Sequence, residues 1–147
     1  MELTIEQPFD LGASLESGQA HRWKKSNDWY AGVVHGEFIQ IRQTGQVVEF
    51  ASGPSPEETA AIMLRDYFRL DDDINAIYSD INRDGRVAPM VRKYPGLRIL
   101  RTEPWECLVA FICSANNNIA ESTNSWSAWL TNSDHPDFKG VHATHFP

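Results

Sequence analysis

Positive charge is scarce in this chain. Its 13 Lys and Arg residues stand against 20 Asp and Glu, a formal net charge of −7. A protein that binds polyanions by long-range attraction usually carries a basic footprint, so bulk charge argues against that mode. A local basic face, or contacts to groove and base edges, would need far less. Cysteine is nearly absent, represented only by Cys107 and Cys113. Six residues apart in an apolar segment, they would not share a helix face. They read as buried free thiols in a reducing cytoplasm, not as a disulfide framework or a metal pair. No apolar run approaches the ~20 residues that cross a bilayer. "MELTIEQPFD" lacks a basic, apolar signal peptide, so a chain that is not secreted and has no membrane partner is expected. Internal repeats, a Gly-rich phosphate loop, a nucleophile elbow and a Cys/His nucleophilic pair are also missing. No cofactor and no metal are expected.

What is present suits one ordinary domain: 147 residues, 41% hydrophobic and 22% charged, a globular composition. The first fifty residues read as strands. Leu3 and Ile5 alternate with polar neighbours, and "HRWKKS", "WYAGVV", "FIQIRQ" and "QVVEFAS" follow as β-prone runs. His35-Gly36 and Thr44-Gly45 mark hairpin turns, which predicts an antiparallel meander.

The period then changes to 3.6. "SGPSPEETAAIMLRDYF" predicts a helix with Ser55 as N-cap, Pro56 at the first helical position and Glu58 closing a capping box. Ala61, Leu64 and Phe68 give it an apolar stripe. Ile74, Ile77, Tyr78 and Ile81 form a second stripe, with Asp71, Asp72 and Asp73 near the positive end of the dipole. Val87, Met90, Val91 and Tyr94 form a third, ended by Pro95-Gly96. A further helix starts near Pro104 and is apolar nearly all round, the mark of a buried central helix. Strands first and helices second predict an α+β fold, a twisted antiparallel sheet with packed helices. After Ile119 this patterning is lost.

Several motifs carry chemistry on paper. "DINRDG" places Asp80, Asn82 and Asp84 at the first, third and fifth positions of a calcium loop, but Val91 stands where a bidentate acid is required. An Asn/Asp/Gly turn between helices fits it better. His135, His142 and His145, with Asp134 and Asp137, match no zinc spacing and read as exposed. The 71–73 acids read as a solvated helix start. In "SGQAHRW", Gly18 precedes a strand where main chain could approach a ligand closely, or is simply a loop glycine. Asn116, Asn117 and Asn118 close the most apolar segment. They either fray and cap a helix, or offer amides suited to the edges of unpaired bases.

"SLESGQAHRW", "WYAGVV", "LRDYFRLDDDINAIYSD" and "GLRILRTEPWECLVAFICSANNNI" together resemble the N-terminal portion of the 8-oxoguanine DNA glycosylase family, collinearly from about Phe9 to Ile119. The resemblance implies a sheet-and-helix domain like one repeat of the TATA-binding-protein fold over 1–100. The start of a helical glycosylase domain would follow over 101–119, and a divergent tail over 120–147. It implies excision of oxidised purines from double-stranded DNA by glycosylase and lyase chemistry, with the lesion base flipped into a pocket. The family's SGQ glycine, here Gly18, senses the N7 proton of 8-oxoguanine through its carbonyl, with Gln19 beside it. The first Asn of NNNI, here Asn116, fills the gap and bonds the orphaned cytosine, supported by Asn117 and Asn118.

Two departures qualify this. Glu121 stands where the family has a basic residue that also holds the cytosine. The family's nucleophilic Lys beside a helix-hairpin-helix, and its catalytic Asp, have no counterpart, since Lys139 lacks that context. The expectation is therefore a truncated or frameshifted chain that binds damaged DNA as a monomer, in the cytoplasm, nucleoid or nucleus, and cleaves nothing alone. A non-catalytic DNA-binding module and a calcium module built on Asp80, Asn82 and Asp84 are the alternatives.

Overall fold

The computed structural model describes residues 1–114. The chain divides into two units, Met1–Thr102 and Glu103–Pro147. The first holds β1 (Glu2–Thr4), α1 (Leu11–Leu15), β2 (Lys24–Ser26), β3 (Trp29–Val34), β4 (Glu37–Thr44), β5 (Val47–Gly53), α2 (Glu57–Tyr67), α3 (Ile74–Ile81) and α4 (Ala88–Lys93). The strands form one five-stranded sheet in the order β1-β5-β4-β3-β2, and every neighbouring pair is antiparallel. The expected α+β meander is what the chain builds.

Turn chemistry sets the register. His35 and Gly36 both take positive φ, 48° and 83°, as a tight two-residue hairpin requires. That turn pairs Tyr30 with Ile41, and the next pairs Ile41 with Phe50. All three are buried and form a row across the sheet. Ala60, Ala61, Leu64 and Phe68 of α2 and its C-terminal end cover this face, with Leu11 and Leu15 of α1 in the same core. Each fully buried Leu or Phe contributes about 1.5–3 kcal/mol of transfer free energy.

The expected start of α2 is corrected. Ser55 does not cap it: its hydroxyl donates to Glu37 Oε1 at 2.7 Å and its N–H to Oε2 at 2.9 Å. Charge-assisted bonds to a carboxylate on β4 outcompete a neutral cap, and the helix begins at Glu57 after Pro56. A second difference is α1. One turn is too short to show a 3.6 period, although the Asp10 carboxylate caps it through the N–H of Ala13 at 2.8 Å.

The acidic triplet splits in role. Asp73 caps α3 through the N–H groups of Asn75 and Ala76, whereas Asp71 and Asp72 bind the Arg101 guanidinium at 2.9 and 3.3 Å. Only Ile74 of the α3 stripe is buried, and α4 buries nothing. Ile77, Ile81, Met90 and Tyr94 instead line an apolar groove of about 330 Å³.

The second unit is described only through α5 (Pro104–Ser114). The expectation of a buried central helix is corrected: Trp105, Leu108, Phe111 and Ile112 are exposed, Phe111 by 72%. Cys107 is exposed as well, not buried. An all-round apolar pattern states a need for cover without fixing where the cover comes from. Asn116, Asn117, Asn118, Glu121, Lys139 and the tail histidines lie outside the described residues.

Candidate functional site

The site is built around the loop between α1 and β2. Asp10 starts α1, and the N–H of Glu16 closes its last turn on the Gly12 carbonyl at 2.9 Å. The chain then reverses through Gly18, whose φ is 88°, a conformation that glycine reaches without a Cβ penalty. Gly18 is half-exposed.

Its two neighbours grip the same oxygen. The Ser17 hydroxyl donates to the Ser14 carbonyl at 2.9 Å, and Gln19 Nε2 donates to that carbonyl at 3.2 Å. Gln19 Nε2 also donates to the Arg98 carbonyl at 2.7 Å, while Gln19 Oε1 accepts the Leu100 N–H at 2.9 Å. Both amide donors of Gln19 are therefore committed to main chain.

Ser14 lies at the centre of this net and is fully buried. Its hydroxyl donates to the Asp10 carbonyl at 2.7 Å and accepts the Arg98 N–H at 3.0 Å. The Arg98 guanidinium is buried too, donating to the carbonyls of Pro8 and Arg69 at 3.0 and 3.3 Å. Burial pulls it below the ordinary Arg range, and Tyr78, Asp72 and Asp71 oppose that shift. None of Ser14, Arg98 or Leu100 was flagged by sequence. Their partners are 79 to 84 residues away, and no local pattern reports such a pairing.

The flanks of the loop are equally tied down. Glu16 accepts from Lys25 Nζ at 2.8 Å and from the Tyr30 hydroxyl at 2.6 Å. The Lys25 bond, then the Tyr30 bond, hold the Glu16 carboxyl below its ordinary value. Burial, then the Glu16 bond, push the Tyr30 phenol up. Burial lowers the His21 imidazole and so favours its neutral form. Trp23 donates from Nε1 to the Tyr67 hydroxyl at 3.1 Å. It also lies so close over β3 that a Cβ on Gly32 would sit 2.6 Å from its ring.

The calcium reading gains nothing. Asp80 pairs with Arg83 at 3.1 Å and Asp84 with Arg86 at 2.9 Å, and among the described residues no group of three His, Cys, Asp or Glu could hold a metal. Also among the described residues, no helix is long and apolar enough to cross a membrane.

Comparison with known proteins places this architecture. Residues 2–108 match the family model described as the N-terminal domain of 8-oxoguanine DNA glycosylase. The N-glycosylase/DNA lyase OGG1 of Arabidopsis thaliana is 32% identical over 121 residues, covering 77% of this chain and 32% of that protein. The structure of MBOgg1 in complex with a low-affinity DNA ligand superimposes with a TM-score of 0.78 and 28% identity, over 89% of this chain and 45% of that one. The Clostridium acetobutylicum 8-oxoguanine glycosylase/lyase, in complex with double-stranded DNA containing cytosine opposite 8-oxoguanine, gives a TM-score of 0.70 and 27% identity. That match covers 84% of this chain and 45% of the bacterial one. A five-stranded antiparallel sheet with packed helices, matched at this level, is the N-terminal domain of a DNA glycosylase. The chain belongs to the 8-oxoguanine DNA glycosylase family. It spans about a third of the length of the curated relatives it matches.

Proposed function

We propose that this chain recognises 8-oxoguanine in double-stranded DNA through the loop at Gly18, and that by itself it performs no strand chemistry. The reading rests on the family match together with one observation: Gly18, at φ 88°, sits half-exposed in a loop whose neighbouring side chains are fixed by hydrogen bonds. A main-chain carbonyl held this way can accept one hydrogen bond from the N7 proton that 8-oxoguanine has and guanine lacks. Asn116, with Asn117 and Asn118, would occupy the space of the flipped nucleotide and bond the orphaned cytosine. Glu121 would weaken that second contact, because a carboxylate has no proton for the cytosine acceptors.

In this reading residues 1–100 are the recognition domain, 101–119 open the helical domain, and 120–147 form a tail. The chain acts as a monomer, in the compartment that holds the DNA. The sequence holds no LPGVGxK-like hairpin motif with the nucleophilic Lys whose amine would attack the sugar C1′, and the residues around Lys139 do not match that motif. Fluorescence anisotropy at low salt tests the reading on two duplexes of one sequence, one with 8-oxoguanine opposite cytosine and one with guanine. Tighter binding of the lesion duplex is expected, and equal affinity overturns the proposal.

A further inference from the structure

Gln19 stands next to the proposed lesion contact, yet its side chain is not available to a base. Both of its N–H donors are taken, by the carbonyls of Ser14 at 3.2 Å and Arg98 at 2.7 Å, and its oxygen accepts the Leu100 N–H at 2.9 Å. A side-chain amide with two donors on carbonyls would have to give up a bond to reach a nucleotide.

We propose that Gln19 is a positioning residue: it sets the direction of the Gly18 carbonyl and so the discrimination between 8-oxoguanine and guanine. The assignment rests on the Gly18 reading above and extends it. Glycine at φ 88° has a wide range of alternatives, so a carbonyl that must meet one proton needs its orientation fixed by what surrounds it. That surrounding is asymmetric. On the N-terminal side the Ser17 hydroxyl reaches only local structure, the Ser14 carbonyl three residues back. On the C-terminal side Gln19 ties the loop to residues 98–100, which are anchored independently by the buried Ser14 hydroxyl, by the Arg98 guanidinium and by the N–H of Arg101 on the Tyr67 carbonyl at 2.9 Å. Gln19 is thus the residue next to Gly18 that ties the loop directly to the 98–101 segment, which is itself bonded to α2. A recognition group needs to be held within about 0.5 Å of its productive geometry.

The test uses the whole 147-residue chain as wild type, Gln19→Ala and Gln19→Met, with the two duplexes above and amide hydrogen exchange on the free proteins. Met keeps the length of Gln without its donors, and carries the comparison if the Ala variant does not fold. A preference for the lesion duplex in the wild type, cut by about fivefold in the variant, is the expected result, since one neutral hydrogen bond is worth about that factor. Affinity for the guanine duplex should stay unchanged, and the Leu100 amide should exchange faster. A preference that survives in the variants overturns the Gln19 assignment and leaves Gly18 standing. Equal weakening on both duplexes, or loss of the fold in both variants, makes Gln19 merely structural and also overturns it. A wild-type chain without lesion preference removes the Gly18 reading and this assignment together.

Discussion

The main-chain N–H of Arg98 donates to the hydroxyl of Ser14 at 3.0 Å, with 84 residues of sequence between them. This bond joins the one-turn helix before the Gly18 loop to the segment that precedes α5 in the sequence. The Ser14 hydroxyl serves two partners at once, since it also donates to the Asp10 carbonyl. Ser14→Ala leaves the buried Arg98 N–H without an acceptor, which costs about 1–3 kcal/mol. Urea denaturation should report that loss as a lower midpoint with an unchanged slope.

Gly96 offers a sharper stability test. It has φ 88°, and a Cβ there would lie 2.7 Å from the Asp10 nitrogen and from the Phe9 carbonyl carbon. Those are main-chain atoms held by the Asp10 N–H bond to the Gly96 carbonyl at 2.9 Å, so they cannot swing aside. Gly96→Ala should lose about 2 kcal/mol from backbone strain alone, before the clash is counted. Gly36→Ala, at a turn with nothing within 4 Å of the added carbon, serves as the comparison and should lose less in the same melt.

Acid should loosen the molecule in two places. The Arg101 bond holds the Asp71 carboxyl below its ordinary value of 3.8, and the Lys25 bond, then that of Tyr30, do the same for Glu16, whose ordinary value is 4.5. A carboxyl depressed in the folded state stabilises above its unfolded pKa, and that stability is lost as pH falls through the folded value. The melting temperature should therefore fall as pH drops from about 4.5 downward. Arg101→Gln should flatten the part of that slope due to Asp71, as thermal melts across the pH series would reveal.

Borohydride treatment separates recognition from chemistry. With an 8-oxoguanine duplex and this chain alone, no trapped protein–DNA adduct is expected on the proposed reading, because a Schiff base needs a nucleophilic amine and the sequence holds no LPGVGxK-like hairpin motif to supply it. Denaturing electrophoresis reads the result directly, and a shifted covalent band would refute the claim that the chain makes no cut.

Much of the fold was legible in the sequence because it is local. The Ile74 and Leu64 stripes follow the helical period, and His35-Gly36 follows the stereochemistry of the hairpin. What was not legible depends on distance or competition. Ser55 looks like a cap until Glu37 arrives from β4. Asp71 and Asp72 look like a solvated helix start until Arg101 arrives. Gln19 looks like a base contact by its place beside Gly18, and only the folded chain brings the Ser14, Arg98 and Leu100 main chain to its amide. The cover that α5 calls for is read from composition, which states a need for burial and not its source.

Amide chemical shifts of the nitrogen-15-labelled chain, recorded while each duplex is titrated in, locate the contact. Ser17, Gly18 and Gln19 should move with the 8-oxoguanine duplex and remain in place with its guanine counterpart. An unmoved loop, or shifts confined to the apolar groove of Ile77, Ile81, Met90 and Tyr94, would contradict the assignment of damage recognition to Gly18.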